Sequence, residues 1–267
     1  MNRGRLLKVL FYYLLIATIV FFLGPLGHIP GYVLMVGVTL LFLLTSGIRI
    51  RTGNPLPGTI AGTLAITAAF LLILALGGVT VAGMNSNAFG AIAFGLFLQA
   101  FVACGEEFAF RQYVFEDLDL AAGRNAAIAL SAAGFALLHL HSMLSFGVDP
   151  VSAIVGLTTI GIAGVTLALL YIYGGLLSAI AFHFFWNFLQ YHVFGLGLRG
   201  TIPALLDVRQ AGSALLNGGP FGPEVSLPGL AVMIITLAAV WYYYARRGMR
   251  RPANPSHPDA RDARSAR

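Results

Sequence analysis

Long apolar runs, separated by short breaks that contain polar residues, glycine or proline, fill most of the chain. A helix that crosses a membrane needs about 20 predominantly apolar residues. By this length the pattern predicts spans at about 6–24, 31–48, 58–80, 88–113, 125–146, 151–173, 175–196 and 228–245. The expected fold class is therefore all-α, a polytopic membrane helix bundle of about eight transmembrane helices.

The composition agrees with a membrane protein. Hydrophobic residues make up 58% of the 267 residues, and charged residues only 10%. Ordinary soluble domains contain about 25% charged residues, so the composition excludes that class. The single cysteine, Cys104, cannot form an internal disulfide and is expected to pack as a small apolar residue.

The basic residues predict the topology. The chain has 16 Lys and Arg, of which Arg111 lies inside the fourth span and Arg199 and Arg209 lie in the long loop after the seventh. All the others fall at the N-terminus, in the loops after the second and fourth spans, or in the C-terminal tail. Cytoplasmic loops carry the excess of Lys and Arg. We therefore expect a multi-pass cell-membrane protein with both termini cytoplasmic, in contact with the lipid bilayer and with no nucleic-acid partner.

One transmembrane domain is expected over residues 1–250, followed by a disordered basic cytoplasmic tail over 251–267. The basic and then apolar N-terminus resembles a signal peptide, but no small-residue cleavage site follows, so it is predicted to remain as the first span. Residues 197–227 form a long external loop rich in Gly and Pro. This loop is expected to hold a re-entrant or interfacial segment, or to cover the mouth of a cavity.

Three charged residues lie inside the fourth predicted span. Glu107 and Arg111 are four residues apart and share a helix face, so they can form an ion pair. Glu106 points about 140° away from Arg111 on an α-helix and remains without that partner. An ionisable side chain in a membrane helix is costly and is usually functional. Glu106 is therefore a candidate general base, and Glu107 with Arg111 a structural ion pair near the site.

Two further predicted spans carry polar side chains at comparable depth. His139 lies in the fifth span, and His183 and Asn187 share a face of the seventh. His141 lies about 200° of helical rotation from His139, and His192 lies about 180° from His183. Both are therefore expected to face away from the shared site as packing residues, with His192 near the membrane interface.

These residue types fit hydrolysis of an amide in two ways. In the first, Glu106 and His139 activate water, while His183 and Asn187 donate hydrogen bonds to the developing oxyanion. In the second, Glu106, His139 and His183 bind zinc and leave one position for water. The sequence contains no HExxH, G-x-S-x-G or G-x-G-D motif, so a serine or aspartyl protease is not expected.

Three motifs in order resemble the CPBP intramembrane protease family, also called the CAAX-protease and bacteriocin-processing, or Abi, family. Glu106, Glu107 and Arg111 match its E-E-x-x-x-R motif, and the F-x-x-x-H and H-x-x-x-N/D motifs are matched by Phe135 with His139 and by His183 with Asn187. The matching region runs from about residue 88 to 196. The resemblance implies a multi-pass helical fold with a catalytic cavity within the membrane.

The resemblance also implies two classes of substrate and two catalytic types. Eukaryotic members remove the last three residues after a prenylated cysteine, and many bacterial members are linked to peptide maturation, immunity or scaffolding. The expected function is an intramembrane endopeptidase acting on membrane-embedded or lipidated peptides, either CAAX-like or leader- and bacteriocin-like. Family members are described both as metalloproteases and as metal-free enzymes of the glutamate type. A non-catalytic bacteriocin-immunity or scaffold protein and a proton-coupled transporter remain as alternatives.

Overall fold

A computed structural model describes residues 2–23, 28–197 and 203–248. The predicted disordered tail and the loop position Arg199 lie outside these residues. The described chain is mainly helical, as predicted. Its helices are α1 (Arg3–Leu23), α2 (His28–Ser46), α3 (Leu56–Ala75), α4 (Phe89–Glu107), α5 (Glu116–Ala122), α6 (Arg124–Ser145), α7 (Pro150–Gly174), α8 (Leu176–Phe188), α9 (Ala214–Asn217) and α10 (Leu227–Arg246).

Two helices continue into wider π-helical turns. The first π segment (Phe108–Phe115) joins α4 to α5, and the second π segment (Leu189–Val193) extends α8. A short 3-10 turn, Pro223–Val225, precedes α10. Single π-helical turns occur often at functional sites, and both segments follow directly after residues predicted to be functional.

Within the described ranges, six helices are long and apolar enough to cross a membrane. They are α1, α3, the continuous helix Phe89–Ala122, α6, α7 and α10. The second and seventh predicted spans are helical too, but α2 contributes a shorter apolar helix, Pro30–Ser46, and α8 has only 13 residues before its π segment. The polytopic helical bundle is thus confirmed, while the number of eight spans is not.

A two-stranded sheet was not predicted. Strand β1 (Val79–Met84) pairs antiparallel with β2 (Leu206–Gln210), from Val79 opposite Gln210 to Met84 opposite Leu206. The third span is predicted to end at residue 80, but α3 ends at Ala75. Gly77 adopts a positive φ of 74°, and the β-branched residues that follow favour an extended strand. The sheet fixes part of the long 197–227 loop against the segment that follows α3.

Helices α3 and α8 approach each other closely. A Cβ atom at Gly58 would lie 1.8 Å from the carbonyl oxygen of Ser178, and one at Gly62 would lie 2.5 Å from that of Phe182. Small residues allow such close contact between membrane helices. This contact fixes the position of α8, which carries two of the predicted site residues.

Candidate active site

The four residues predicted to be catalytic line one cavity of about 410 Å³. Glu106 comes from the end of α4, His139 from α6, and His183 and Asn187 from successive turns of α8. Apolar side chains form most of the remaining wall. The other polar lining residues are Tyr32, Gln99, Ser142, Thr159, Tyr191 and Glu224.

Glu106 lies between the two histidines. Its Oε2 is 4.0 Å from Nε2 of His139 and 3.8 Å from Nε2 of His183. The other nitrogen of His139, Nδ1, lies 2.8 Å from the carbonyl oxygen of Phe135. A carbonyl oxygen can only accept, so Nδ1 carries the proton and donates. In the neutral ring, Nε2 is therefore an acceptor directed at Glu106.

Glu107 has two partners. Its Oε2 lies 3.1 Å from Nε of Arg111, and both side chains are fully buried. Its Oε1 accepts a hydrogen bond from Nδ1 of His183 at 2.9 Å. The sequence predicts only Arg111 as a partner of Glu107, and the contact with His183 is an addition from the structure. One carboxylate therefore joins the buried arginine to a histidine of the cavity.

Phe135 packs at the centre of this group. Its ring centroid is 4.7 Å from that of His139 and 6.0 Å from that of His183. The guanidinium carbon of Arg111 lies 4.9 Å from the same centroid, within the range of a cation–π interaction. The aromatic residue of the F-x-x-x-H pattern thus contacts Arg111 of the buried ion pair and both histidines of the cavity.

Tyr32 was missed because its span has no motif. It lies in α2, and its hydroxyl donates a 2.5 Å hydrogen bond to Oε1 of Glu106. The same carboxylate therefore has one oxygen bound to Tyr32 and the other facing the histidines. A tyrosine in an apolar helix is a common packing residue, so only the three-dimensional structure identifies this contact.

Glu224 was also missed, because the sequence places it in the external loop. Its Oε1 accepts a 2.7 Å hydrogen bond from the indole of Trp186, and its Oε2 accepts one of 3.1 Å from the amide of Gln190. Trp186 is 4% exposed and lines the cavity. Residues of the long loop thus form part of the cavity wall.

His141 and His192 lie outside the cavity lining, as their positions on the helices predicted. His141 packs against Phe21, with ring centroids 4.4 Å apart. His192 is fully buried, and its Nε2 lies 3.3 Å from the side-chain nitrogen of Gln99. His192 is thus an interior packing residue of the second π segment that contacts α4. Its position near the membrane interface stays a prediction.

The predicted zinc ligands do not converge as a metal site. Among the residues that the structure describes, no group of three or more His, Cys, Asp or Glu side chains could hold a metal ion. Oε2 of Glu106 is close to Nε2 of both histidines, while Nδ1 of each ring is engaged by the carbonyl of Phe135 or by Glu107. The three open atoms therefore face one another and can share contacts with a small polar molecule.

A family model described as "Type II CAAX prenyl endopeptidase Rce1-like" matches residues 87–189. The resemblance to the CPBP proteases is confirmed. The match supports an intramembrane protease and includes all four cavity residues predicted from the motifs. It covers less than half of the chain, and both Tyr32 and Glu224 lie outside it. Comparisons with curated proteins and with solved structures found no match.

Proposed function

We propose that this protein is an intramembrane endopeptidase that hydrolyses peptide bonds of membrane-associated substrates with a water molecule activated by Glu106 and His139. The observation that carries the proposal is the position of Oε2 of Glu106, 4.0 Å from the acceptor nitrogen of His139, inside a largely apolar cavity. Hydrogen bonds of water to such atoms are about 2.8 Å long. One water can therefore donate one hydrogen to each atom and keep its lone pairs free for attack.

The reaction then follows from the chain's own side chains. The water oxygen bonds to the peptide carbonyl carbon as Glu106 accepts a proton, which gives a tetrahedral oxyanion. His183, in its imidazolium form, donates from Nε2 to that oxyanion, and Asn187 donates from the next turn of the helix. The carbon–nitrogen bond then breaks, and the proton held by Glu106 passes to the departing amine. The products are one carboxylic acid and one amine, which ionise to a carboxylate and an ammonium group.

Glu107 and Arg111 support this chemistry without touching the substrate. Glu107 accepts a hydrogen bond from Nδ1 of His183, which orients the ring and favours its positively charged form. Arg111 balances the remaining negative charge of Glu107 from the other side. Both residues are fully buried, so they act as positioning residues.

The substrate class proposed is a membrane-embedded or lipidated peptide, either CAAX-like and prenylated or of the leader and bacteriocin type. The apolar lining of the cavity suits the lipid or hydrophobic part of such a peptide. Catalysis is proposed to be of the glutamate type, since the side chains described above account for each proton transfer.

The test is cleavage of model transmembrane and farnesylated peptides by the purified protein in detergent, followed by mass spectrometry. The wild type should cut at one bond, and Glu106→Gln should cut none at matched protein levels. Asn187→Ala should retain weak activity, since loss of one oxyanion donor costs about 10²–10³ in turnover, whereas His141→Ala should be close to wild type. Folded wild-type protein that binds these peptides and never cleaves them would instead favour a scaffold or immunity role.

The catalytic type is tested by metal content. Active protein should retain its turnover after treatment with a strong chelator, and its activity should not follow the amount of zinc measured in the sample. Loss of activity on chelation, with recovery on adding zinc alone, would contradict the glutamate mechanism.

A further inference from the structure

A second carboxylate faces the cavity, and the proposed hydrolysis does not use it. Glu224 is about nine-tenths buried, and the 3-10 turn Pro223–Val225 presents it to the cavity. Each of its oxygens accepts one hydrogen bond, from Trp186 and from Gln190. These two donors fix the carboxylate plane and leave further lone pairs on each oxygen for another partner.

The surroundings of Glu224 are aromatic. Trp186, Tyr191 and Phe221 line the cavity together with it. A carboxylate next to aromatic rings suits a cation, because both the charge and the ring faces attract it. Burial raises the pKa of Glu224, while the hydrogen bonds from Trp186 and Gln190 oppose that shift. A cation bound beside this carboxylate would offset the cost of its burial.

Among the lining residues that the structure describes, the one positive charge is that of the His183 imidazolium, which already pairs with Glu107. Neither Lys nor Arg is among the described cavity residues, which include two glutamates. The nearby arginine, Arg111, is fully buried against Glu107. The charge of this part of the cavity is therefore unfavourable for an anionic group and favourable for a cationic one.

We propose that Glu224, with Trp186, Tyr191 and Phe221, forms a substrate-binding subsite for the basic side chain of a peptide. The proposal rests on the proposed endopeptidase function, since it assigns the part of the substrate that is recognised beside the reacting bond. A lysine or arginine side chain supplies the cation, and its methylene groups lie against the aromatic rings. Glu224 is a specificity-determining residue and takes no part in the proton transfers.

Peptide binding gives a test that does not depend on turnover. A hydrophobic peptide with a single Lys is compared with its norleucine and Glu counterparts, using fluorescence anisotropy in detergent. The protein carries Glu106→Gln, so that no peptide is cut and only Glu224 can supply the charge. The Lys peptide should bind about 10–100-fold more tightly than the norleucine peptide, the range for a hydrogen bond to a charged group. The Glu peptide should bind most weakly.

Adding Glu224→Gln should remove the preference for Lys while leaving the affinity for norleucine unchanged. Gln190 can adapt to the new amide by rotating its own, because its Oε1 accepts no hydrogen bond within the described structure. Glu224→Asp keeps the charge and should keep part of the preference. Asp207→Asn is the matched control, since Asp207 is exposed on β2 and does not line the cavity.

Cleavage by the wild-type protein separates this inference from the proposed function. Cleavage without any preference for Lys, or a preference that survives Glu224→Gln, overturns the subsite and leaves the endopeptidase intact. A Glu224-dependent preference in binding, with no cleavage of any peptide, supports the subsite and contradicts the endopeptidase.

Discussion

Two adjacent carboxylates differ completely in their surroundings. Glu106 contacts a tyrosine hydroxyl and faces two histidines in the cavity, whereas Glu107 is fully buried and contacts Arg111 and His183. Consecutive residues of a helix point about 100° apart, so one residue can face the cavity while its neighbour faces the protein interior. The consequence is that substitutions at these positions should separate activity from stability.

Arg111→Ala should destabilise the protein more than Glu106→Gln does. It leaves Glu107 buried without its cationic partner, and breaking a buried pair in this way costs about 3–5 kcal/mol. The measurement is the thermal unfolding midpoint in detergent, together with the yield of folded protein. Glu106→Gln, which keeps the shape of the side chain, should unfold close to the wild type. The opposite order of stability would reverse the roles assigned to the two glutamates.

Tyr32→Phe should lower turnover and leave substrate binding nearly unchanged. The substitution removes the hydroxyl that holds Oε1 of Glu106 and keeps the ring in place. A hydrogen bond to a charged group contributes about 1.5–3 kcal/mol, so kcat should fall about 10–100-fold, with a small effect on KM. Tyr13→Phe is a matched control, because Tyr13 bonds a backbone oxygen of α6 away from the cavity. Equal losses in both variants would show a general packing effect.

At the scale of elements, the position of α8 depends on glycines in α3. His183 and Asn187 reach the cavity only if α8 lies close to α3, and Gly58 and Gly62 permit that approach. The second π segment begins at Leu189, just beyond Asn187. The local widening of the helix therefore starts after the two site residues and directs Gln190 towards Glu224.

Gly58→Ala should lower both stability and activity. The added methyl group would lie 1.8 Å from a backbone oxygen of α8, which cannot rotate away as a side chain can. Overpacking of this kind costs about 1–3 kcal/mol. The unfolding midpoint and the rate of peptide cleavage are the measurements. Gly161→Ala in α7 is the control, since nothing lies within 4 Å of the added atom. A Gly58→Ala protein with wild-type stability would show that the helices can separate without loss.

The sequence predicted the helices and the convergence of the motif residues, because helical periodicity and intramembrane charge are local signals. It did not predict β1 and β2, because their pairing joins segments far apart in the chain. It also missed Tyr32 and Glu224, since neither is unusual in its own segment. The boundary of α3 was placed too late because Val79 and Thr80 continue its apolar run, although Gly77 and Gly78 end the helix.

At the scale of the whole molecule, contacts between loops show which of the connections between helices lie at the same end of the bundle. The backbone of Asn2 bonds that of Ala121, the side chain of Arg51 pairs with Glu116 at 3.6 Å, and the backbone of Leu176 bonds that of Arg51. Tyr173 and Tyr244 pack with ring centroids 5.1 Å apart. The N-terminus, the loops after the second, fourth and sixth predicted spans, and the end of α10 therefore lie at one end of the bundle. The strands β1 and β2 join two of the remaining breaks.

This grouping agrees with an even number of crossings between the two termini, and the excess of basic residues at this end predicts that it is cytoplasmic. Reporter fusions that end at residues 53, 123 and 248 should all report a cytoplasmic position. Fusions that end at residues 147 and 210 should report the opposite side. A fusion from the first set that reports the outside would contradict both termini being cytoplasmic.

The small sheet has a consequence for the order of assembly during translation. The chain emerges from the ribosome N-terminus first, so β1 is made before every helix that carries a motif residue, and β2 is made after all of them. Glu224 and α10 follow later still. The proposed catalytic side chains are therefore all synthesised before the part of the cavity wall that follows β2 in the chain. Phe221, Glu224 and Met233 of the cavity lining all follow β2, so the wall of the cavity is complete only when α10 has been made.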